Sequence, residues 1–401
     1  MNKKYKGSNL KMYTSSGVSM TAVQAIGTKI ITEEFGELID FESGCWAAAL
    51  GHNREEIVKV ICENAKLLSH THQFFDTEHP GALVEEITSA AKLNCIYKGT
   101  FMSSGSEAVS LAVKLAEVIT GKQKKLSLAI SYLGASSDLR LPRNPEKWLD
   151  IEITECLHCT KSSVCKECGR FNNIDFSPIA AFVLEAGNSG GLALCPPEKL
   201  ITFLTEETRK EGGLIIANEV TTGFGRTGKW FGFQHYSIFQ SEASSPDFIA
   251  MGKGLGNGYP ISGLLVRLKL AEIIEASGFR YVQSHTDDPL GCIVSRRVVE
   301  IISKEKLIEH GNEMGKYLRD KLAEIGERTG GIDEVRGRGL MNVVLLSKKY
   351  SVKEVFKELL KKGFFVGYSE VYNFIRLYAP LSIEREEIEK LVHSLESVLN
   401  I

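Results

Sequence analysis

The feature that most constrains the fold is a series of short, nearly continuous apolar runs separated by helical patterns. The runs are Lys125–Ile130, Ile179–Leu184, Leu214–Ala217 and Phe248–Met251. Strands that are buried on both faces have this composition. The segment from Ala108 to Ile119 instead has apolar residues at helical spacing, which predicts a helix with one face on a sheet. Alternation of such strands and helices predicts an α/β fold with a mostly parallel sheet.

Length and composition predict two domains. The chain has 401 residues and is 43% hydrophobic, which is enough for two large cores. Beyond Pro289, helices rich in Glu and Lys frame short strands around residues 333–346 and 363–378. We therefore predict an N-terminal segment (1–44), a large α/β domain (45–288) and a smaller C-terminal α/β domain (289–401). In the last helix an apolar face runs from Ile388 to Leu399, and Ser382 is its predicted cap.

The charge pattern points to small-molecule chemistry. The formal net charge is −2, and basic residues do not form runs with interleaved aromatics. Nucleic acid and anionic membranes are therefore not predicted as partners. The N-terminus is charged without a following apolar core, and no apolar segment has the length of a bilayer. These observations predict a cytoplasmic protein.

Two polar loops follow adjacent predicted strands. Lys253 lies in a glycine cluster after Phe248–Met251, and Asn218 follows the run Leu214–Ala217. Strand ends that converge in this way form cofactor pockets in α/β proteins. Glycines permit close approach, so Lys253 could condense with an aldehyde. The alternative is a solvated lysine in a flexible loop.

Two further motifs suggest anion binding. Ser104, Gly105 and Ser106 open the helix that contains Ala108, where backbone amides favour a phosphate. The alternative is an ordinary serine cap. Arg376 lies among apolar residues, so its guanidinium requires a carboxylate partner. The partner of Arg376 could equally be the carboxylate of an internal Asp or Glu or that of a bound substrate.

In combination these motifs resemble the class III, or ornithine/acetylornithine aminotransferase-like, branch of the fold-type I pyridoxal phosphate enzymes. The motifs are Asp40–Gly44, Leu50–His52, Ser104–Ala108, Gly223–Gly228, Lys253–Gly258, Val335–Leu340 and Arg376 with Pro380. The resemblance implies a large domain with a mostly parallel seven-stranded sheet and a smaller C-terminal domain. It also implies a homodimer that transfers an amino group from an amino acid to a 2-oxo acid.

The resemblance assigns roles to individual residues. Lys253 would form the imine with pyridoxal 5'-phosphate and later carry a proton between substrate and cofactor. The other cofactor contacts implied are Ser104, Gly105 and Ser106 at the phosphate, Tyr132 and Val220 on the two sides of the ring, Asn218 and Thr221 at the ring edge, and Ser284 at the phosphate of the neighbouring subunit. Arg376 would bind the substrate carboxylate. Cys45 and Trp46 would line the substrate pocket, and core packing is their alternative role.

The sequence departs from the family at the ring contacts. Asn218 replaces the aspartate that keeps the cofactor ring nitrogen protonated, and Thr221 replaces a glutamine. A neutral amide favours the protonated ring less than a carboxylate does, because charge-assisted hydrogen bonds are stronger. Amino transfer remains the prediction. An amino-acid racemase or epimerase on the same fold is the first alternative, and a non-catalytic protein that binds cofactor and metal is the second.

The family pattern also differs near the substrate arginine. The stretch Glu185–Gly191 lacks the second glutamate with which ornithine-type members cover this arginine. We therefore expect Arg376 to be open to an α-carboxylate.

A cysteine array interrupts the region 154–170. Cys156, Cys159, Cys165 and Cys168 form a C-x2-C-x5-C-x2-C pattern. Four such thiolates can close a tetrahedral site, so we predict a structural zinc ion, with an iron–sulfur cluster or unligated thiols as alternatives. The remaining cysteines are expected to be reduced and mostly buried; they are Cys45, Cys62, Cys95, Cys195 and Cys292.

Overall fold

The computed structural model describes residues 17–136, 138–157, 159, 165–188 and 190–400, apart from the side chain of Lys166. The strands are β1 Ala22–Ile26, β2 Lys29–Thr32, β3 Gly36–Asp40, β4 Tyr97–Met102, β5 Lys124–Leu128, β6 Trp148–Ile151, β7 Ile179–Leu184, β8 Leu214–Asn218, β9 Phe248–Met251, β10 Ser262–Arg267, β11 Ile332–Arg338, β12 Met341–Leu346, β13 Phe364–Phe365, β14 Gly367–Ser369 and β15 Phe374–Leu377. The helices are α1 Glu55–Asn64, α2 His79–Ala90, α3 Gly105–Thr120, α4 Cys165–Cys168, α5 Glu198–Lys210, α6 Leu268–Ala276, α7 Pro289–Lys304, α8 Leu307–Thr329, α9 Val352–Lys361 and α10 Arg385–Leu399.

A seven-stranded sheet forms the centre of the molecule, in the order β4-β10-β9-β8-β7-β5-β6. The pairs β5/β6, β5/β7, β7/β8 and β8/β9 are parallel, as predicted. β10 runs antiparallel to both β9 and β4. The connection from β9 to β10 contains only a 3-10 turn, and a connection without a crossover helix returns the chain in the opposite direction.

Helices cover both faces of this sheet, which explains why its central strands are continuously apolar. Every residue of β7 and of β9 is buried. The apolar face of α3 packs on β7, β8, β9 and β10, and α5 packs on β7 and β8. The predicted helix around Ala108 is thus confirmed, with Ser104 before its first turn and Gly121 in the left-handed conformation after its last.

Two smaller four-stranded sheets complete the fold. The order of the first is β1-β2-β3-β13, in which β3 from the N-terminal region pairs in parallel with β13 from the C-terminal region. The second has the order β11-β12-β15-β14 and consists of antiparallel pairs. The N-terminal strands therefore share a sheet with the last quarter of the chain. Among the described residues, none of the helices combines the length and apolar character that crossing a membrane requires.

The start of the last helix differs from the prediction. α10 begins at Arg385, and the Glu384 amide donates to the Glu387 carboxylate at 3.0 Å. The Ser382 hydroxyl instead donates to the Leu50 carbonyl at 3.2 Å. Ser382 as the cap was therefore wrong, because Ser382 lies in a turn and the buried Ile383 and the extended Glu384 separate it from the first helical residue.

Three glycines bring the loop after β8 against the C-terminal part of the chain. A Cβ atom on Gly315, in α8, would lie 1.8 Å from the carbonyl oxygen of Gly339. A Cβ atom on Gly339 would lie 2.5 Å from the backbone nitrogen of Gly228, and Gly339 has a φ of +53°. The Leu340 amide donates to the Arg226 carbonyl at 3.1 Å in the same contact. Backbone approach this close requires glycine.

We predict that Gly315→Ala lowers the free energy of unfolding by about 2–3 kcal/mol, since the new methyl group overlaps backbone that cannot rotate away. Gly81→Ala in α2 is the matched control, because a Cβ atom at Gly81 meets nothing within 4 Å. That control should be neutral or stabilising by about 0.5–1 kcal/mol, as alanine is the better helix former. Chemical denaturation of both variants measures the difference, and equal stabilities would contradict this packing account.

Candidate active site

The site lies where β8 and β9 end beside each other. Asn218 is the last residue of β8 and pairs with Ala250 of β9, so Asn218 and Lys253 emerge at the same edge of the sheet. Ligands of α/β proteins bind at this edge. Lys253 has a φ of +45°, a left-handed conformation that non-glycine residues adopt where the surrounding structure imposes it.

The amine of Lys253 is enclosed rather than solvated. Its Nζ donates to Thr221 Oγ1 at 2.6 Å and lies 4.4 Å from the ring centroid of Trp46. Burial lowers the pKa of this amine to about 8, although the nearby Glu185 partly opposes the shift. A lysine with a lowered pKa offers more of the neutral, nucleophilic amine near neutral pH. The alternative of a flexible, solvated lysine does not describe this side chain.

Asn218 is buried and both ends of its amide are engaged. Its Nδ2 donates to the Tyr132 carbonyl at 3.2 Å, and its Oδ1 accepts from the Val220 amide at 3.3 Å. The Tyr132 amide in turn donates to Glu185 at 3.1 Å, while the Tyr132 side chain is 45% exposed. The loop that carries Tyr132 is thereby fixed beside the end of β8.

The start of α3 faces the same region. The Ser104 hydroxyl donates to the Glu107 carboxylate at 2.8 Å and accepts from the Glu107 amide at 3.4 Å, so this side chain serves as the helix cap. Ser106 Oγ accepts from the Ala135 amide at 2.9 Å and can still donate a hydrogen bond. A Cβ atom on Gly105 would lie 2.5 Å from Val220, so α3 and the end of β8 touch at this point.

These groups fit pyridoxal phosphate. Helix geometry gives the amides of Gly105 and Ser106, the first two residues of α3, no intrahelical carbonyl, and they lie at the positive end of the helix dipole, which suits a phosphate. Lys253 offers an amine for the aldehyde, and Asn218 offers an amide for the ring nitrogen. Val220 lies between the helix start and Lys253, since it approaches both Gly105 and Gly252.

A turn of four residues in the left-handed conformation also lines the site, beside Lys253. Ser43, Gly44, Cys45 and Trp46 all have positive φ, between 40° and 70°. Such a conformation costs roughly 1–2 kcal/mol for each non-glycine residue, so the turn must be held from outside. Asp40 accepts hydrogen bonds from the amides of Glu42 and Gly44, both at 2.8 Å.

This turn places Trp46 in the site. Its ring centroid lies 4.4 Å from Lys253 Nζ and 4.6 Å from the guanidinium carbon of Arg376. Trp46 also packs on an apolar cluster that includes Phe374 and Tyr378, so core packing describes part of its role. Cys45, the preceding residue, is exposed.

Arg376 is not open, contrary to expectation. Its Nε donates to Glu42 Oε1 at 2.9 Å and its Nη2 donates to Glu42 Oε2 at 2.6 Å. Burial works against the charged guanidinium, but its hydrogen bonds to Glu42 and the negative charge of that carboxylate together outweigh burial and raise the pKa of Arg376. The expectation was wrong because it considered only the region of Glu185, whereas the covering carboxylate comes from the N-terminal turn. Glu42 is visible in the motif Asp40–Gly44, but nothing in the sequence pairs it with Arg376.

Ser284 lies on an exposed loop before α7. The same loop is attached to the end of β4, where the Asp287 amide donates to the Phe101 carbonyl at 2.9 Å. β4 leads directly into Ser104, so Ser284 belongs to the same face of the molecule as the start of α3.

The four-cysteine array folds around one small cavity. Cys156, Cys159, Cys165 and Cys168 line a space of about 10 Å³ together with Phe171, Pro197, Lys199 and Leu200. This volume is that of a single water or ion. No disulfide joins any of the described cysteines. Of the remaining five, Cys45 and Cys62 are exposed and only Cys292 is fully buried, so the prediction of mostly buried thiols was wrong.

Comparison with known proteins agrees with this geometry. A family model described as aminotransferase class-III matches residues 13–138 and 147–399. An acetylornithine aminotransferase of Methanopyrus kandleri is 30% identical over 97% of this chain and 96% of its own length. A leucine/methionine racemase of Thermococcus litoralis is 29% identical over 95% of this chain and 90% of its own.

Solved structures are also similar. A transaminase from the marine bacterium Virgibacillus has a TM-score of 0.87 at 25% identity, covering 99% of this chain and 97% of that one. The family match spans most of the sequence, including every residue assembled around Lys253. The chain therefore belongs to the class III aminotransferase family.

Proposed function

We propose that the protein is a pyridoxal phosphate-dependent aminotransferase that moves an amino group from an amino acid to a 2-oxo acid. The observation that carries the proposal is that two cations lie close to the same Trp46 ring, the Lys253 amine at 4.4 Å from its centroid and the Arg376 guanidinium carbon at 4.6 Å. One is the Lys253 amine, which suits an aldehyde, and the other is Arg376, which suits a carboxylate. An α-amino acid carries one amine and one carboxylate, which are the groups that these two side chains suit.

The chain's residues divide the work. Bound pyridoxal phosphate supplies an aldehyde that condenses with amines and a ring that withdraws electrons from the substrate α-carbon. The amides at the start of α3 and the Ser106 hydroxyl would hold the phosphate, and Tyr132 and Val220 would flank the ring. Asn218 and Thr221 would contact the ring edge. The Lys253 amine would accept the α-proton of the substrate and return it.

Arg376 binds the substrate carboxylate only after Glu42 yields. The pair is bidentate and nearly buried, with Glu42 6% exposed. An incoming carboxylate offers the guanidinium the same charge and the same two oxygens, so the exchange preserves the ion pair. Glu42 therefore competes with the substrate for one cation.

Racemisation is the second candidate, and Asn218 is the observation that favours it. With a neutral amide at the ring nitrogen, electron withdrawal is weaker and proton return to the α-carbon gains over return to the cofactor. A leucine/methionine racemase is among the similar proteins. Incubation with single amino acids, with and without a 2-oxo acid, separates the two. Keto-acid formation supports amino transfer, whereas loss of optical rotation without it rejects amino transfer.

Asn218→Asp should accelerate the amino-transfer half-reaction by about tenfold for each unit by which it raises the pKa of the ring nitrogen. The carboxylate favours the protonated ring and thus electron withdrawal. Stopped-flow absorbance of the cofactor measures the rate, and loss of optical rotation in the same samples measures the competing reaction. An unchanged half-reaction rate would refute this role for position 218.

Glu42→Gln should lower the KM for the amino acid substrate by about tenfold, because a neutral amide competes less strongly for Arg376. Glu37→Gln is a suitable control, as Glu37 lies nearby on β3 and pairs with Lys29 at the surface. Initial-rate kinetics on folded, cofactor-loaded variants measure the effect. A raised KM would mean that Glu42 supports Arg376 rather than competing for it.

We propose a homodimer, with Ser284 reaching the phosphate of the neighbouring subunit. An exposed apolar patch supports this. Leu67, Phe74, Phe75 and Val282 are 81%, 89%, 69% and 77% exposed. The segment that carries Phe74 is attached to the Ser284 loop, since Gln73 Nε2 donates to the Gln283 carbonyl at 2.7 Å. Large apolar side chains in such a group mark an association surface.

Phe74→Asp should shift the protein from dimer to monomer and reduce cofactor retention, because a charge replaces an apolar anchor. Val371→Asp is the control, since Val371 is 84% exposed elsewhere on the surface. Sedimentation velocity gives the mass of each variant. A wild-type protein that sediments as a monomer would contradict the dimer.

We also propose a structural zinc ion in the four-cysteine cavity and a cytoplasmic location. The cavity volume suits one ion better than an iron–sulfur cluster. Within the described part of the chain, the only three candidate ligands whose ligand atoms all lie within 4.8 Å of one another are His70, His285 and Asp288. Zinc binding would therefore draw the cysteine thiolates closer together.

The proposed cytoplasmic location agrees with the cysteines that the structure describes, among which no disulfide is present.

A further inference from the structure

We propose that the four-cysteine metal site is a positioning device for Arg376, acting through residues 190–197, which we call the connector. The inference rests on the function proposed above, in which Arg376 binds the substrate carboxylate and the cysteines bind zinc. The connector links the two sites directly, because one end contacts the cysteine cavity and the other contacts the arginine.

The C-terminal end of the connector is part of the metal site. Pro197 lines the cysteine cavity, as do Lys199 and Leu200 in the first turn of α5. Lys199 Nζ donates to the Cys159 carbonyl at 2.8 Å. The cysteine segment α4 also packs on α5. Pro197 and the start of α5 are therefore held from two directions, by the packing of α5 on β7 and β8 and by the cysteine segment.

The N-terminal end of the connector lies against Arg376. A Cβ atom on Gly191 would be 2.6 Å from Arg376 Nη1 and 3.2 Å from Phe374. Ala193 is 2% exposed and belongs to an apolar cluster with Met341, Val343, Phe374 and Tyr378. The connector thus packs against β15, the strand that contains Arg376, and contacts the guanidinium itself.

The conformation of the connector must be imposed by its neighbours. Gly191 has a φ of +106° and Ala193 a φ of +47°. The left-handed conformation costs an alanine roughly 1–2 kcal/mol. Among the described residues, the Leu192 amide donates to Asn188 Oδ1 at 3.2 Å, the Tyr236 hydroxyl donates to the Pro196 carbonyl at 3.1 Å, and the Cys195 thiol lies 3.9 Å from the Ala193 carbonyl. A firm anchor at the α5 end would hold the strained geometry in place.

The metal supplies this anchor. When four thiolates bind one ion, the free energy of metal binding stabilises the folded arrangement of the four cysteines and of the residues that contact them. Without the ion, the cysteines no longer hold Lys199 and Pro197 in place. The connector then moves away from Arg376. Lys253 and Asn218 are positioned by β8 and β9 and should be unaffected. The expected signature is a KM for the carboxylate substrate raised by about tenfold, with cofactor binding unchanged.

The first test compares the holoprotein as purified, after zinc chelation, and after zinc is returned. We expect about one zinc per chain by elemental analysis, without stoichiometric iron or sulfide. Hydrogen–deuterium exchange should quicken in residues 190–197 and 371–378 on chelation, recover with zinc, and remain constant in β8. Because chelation is reversible, this result does not depend on whether a cysteine variant folds.

The second test separates the metal from its mechanical link. Lys199→Met should retain zinc yet quicken exchange in the connector and raise KM, whereas Cys165→Ser should lose zinc and show both effects. Lys210→Met, at the far end of the same helix, is the control and should show neither. The cofactor absorbance spectrum should be the same in all three variants.

Three results would overturn the inference: purified protein that neither contains nor takes up zinc, zinc loss without a change in connector exchange, or equal behaviour of the two lysine variants. The exchange measurement requires no turnover. A connector that responds to zinc in a protein that transfers no amino group would therefore overturn the proposed reaction and not the coupling.

Discussion

The buried guanidinium of Arg226 joins the three segments from which the site is built. It lies in the loop that follows Asn218, and its Nη2 donates to Ser43 Oγ at 3.0 Å. Its Nη1 bonds the carbonyl of Ala379 and lies 3.5 Å from that of Leu340. Burial lowers its pKa to about 10, which still leaves it charged at neutral pH. Removing a buried charge from such partners would leave several polar groups unsatisfied.

The hydrogen bonds of Arg226 also determine where the residues around Arg376, the proposed carboxylate-binding group, are placed. Ser43, held by Arg226 and by the Tyr378 carbonyl, begins the left-handed turn. The turn fixes Glu42 against Arg376 and Trp46 against both Arg376 and Lys253. The cofactor end and the carboxylate end are therefore not independent. A shift of the N-terminal turn would move the partner of the arginine and the wall beside the amine together.

The parts of the fold that the sequence predicts best are those in which burial leaves a local pattern. Continuous apolar runs identified β5, β7, β8 and β9, because a strand that is buried on both faces needs apolar residues at successive positions. Helical spacing identified α3, because a helix that is buried on one side needs apolar residues every three or four positions. The antiparallel β10 and the left-handed turn at Ser43 depend on connection length and on distant hydrogen bonds. Glu42 illustrates the limit: its partner Arg376 is remote in the chain, and spacing carries no information about which acid reaches it.

The same distinction applies to the candidate site. Lys253 and Asn218 are predictable because strand ends and glycines mark them locally. The enclosure of Lys253 by Thr221 and Trp46 follows from tertiary packing, as does the link from the cysteine array to Arg376 through Gly191. Asn218 is one of the positions at which we predict a departure from the family pattern. Its amide is held by Tyr132 and Val220, so the surrounding backbone is built to keep that side chain in place.

The most direct test of the account is reduction of the cofactor-loaded protein with sodium borohydride, followed by peptide mapping with mass spectrometry. The account predicts a stable pyridoxyl adduct on the peptide that contains Lys253, and its loss in Lys253→Ala. An adduct confined to other lysines, or none in protein that demonstrably holds pyridoxal phosphate, would contradict it.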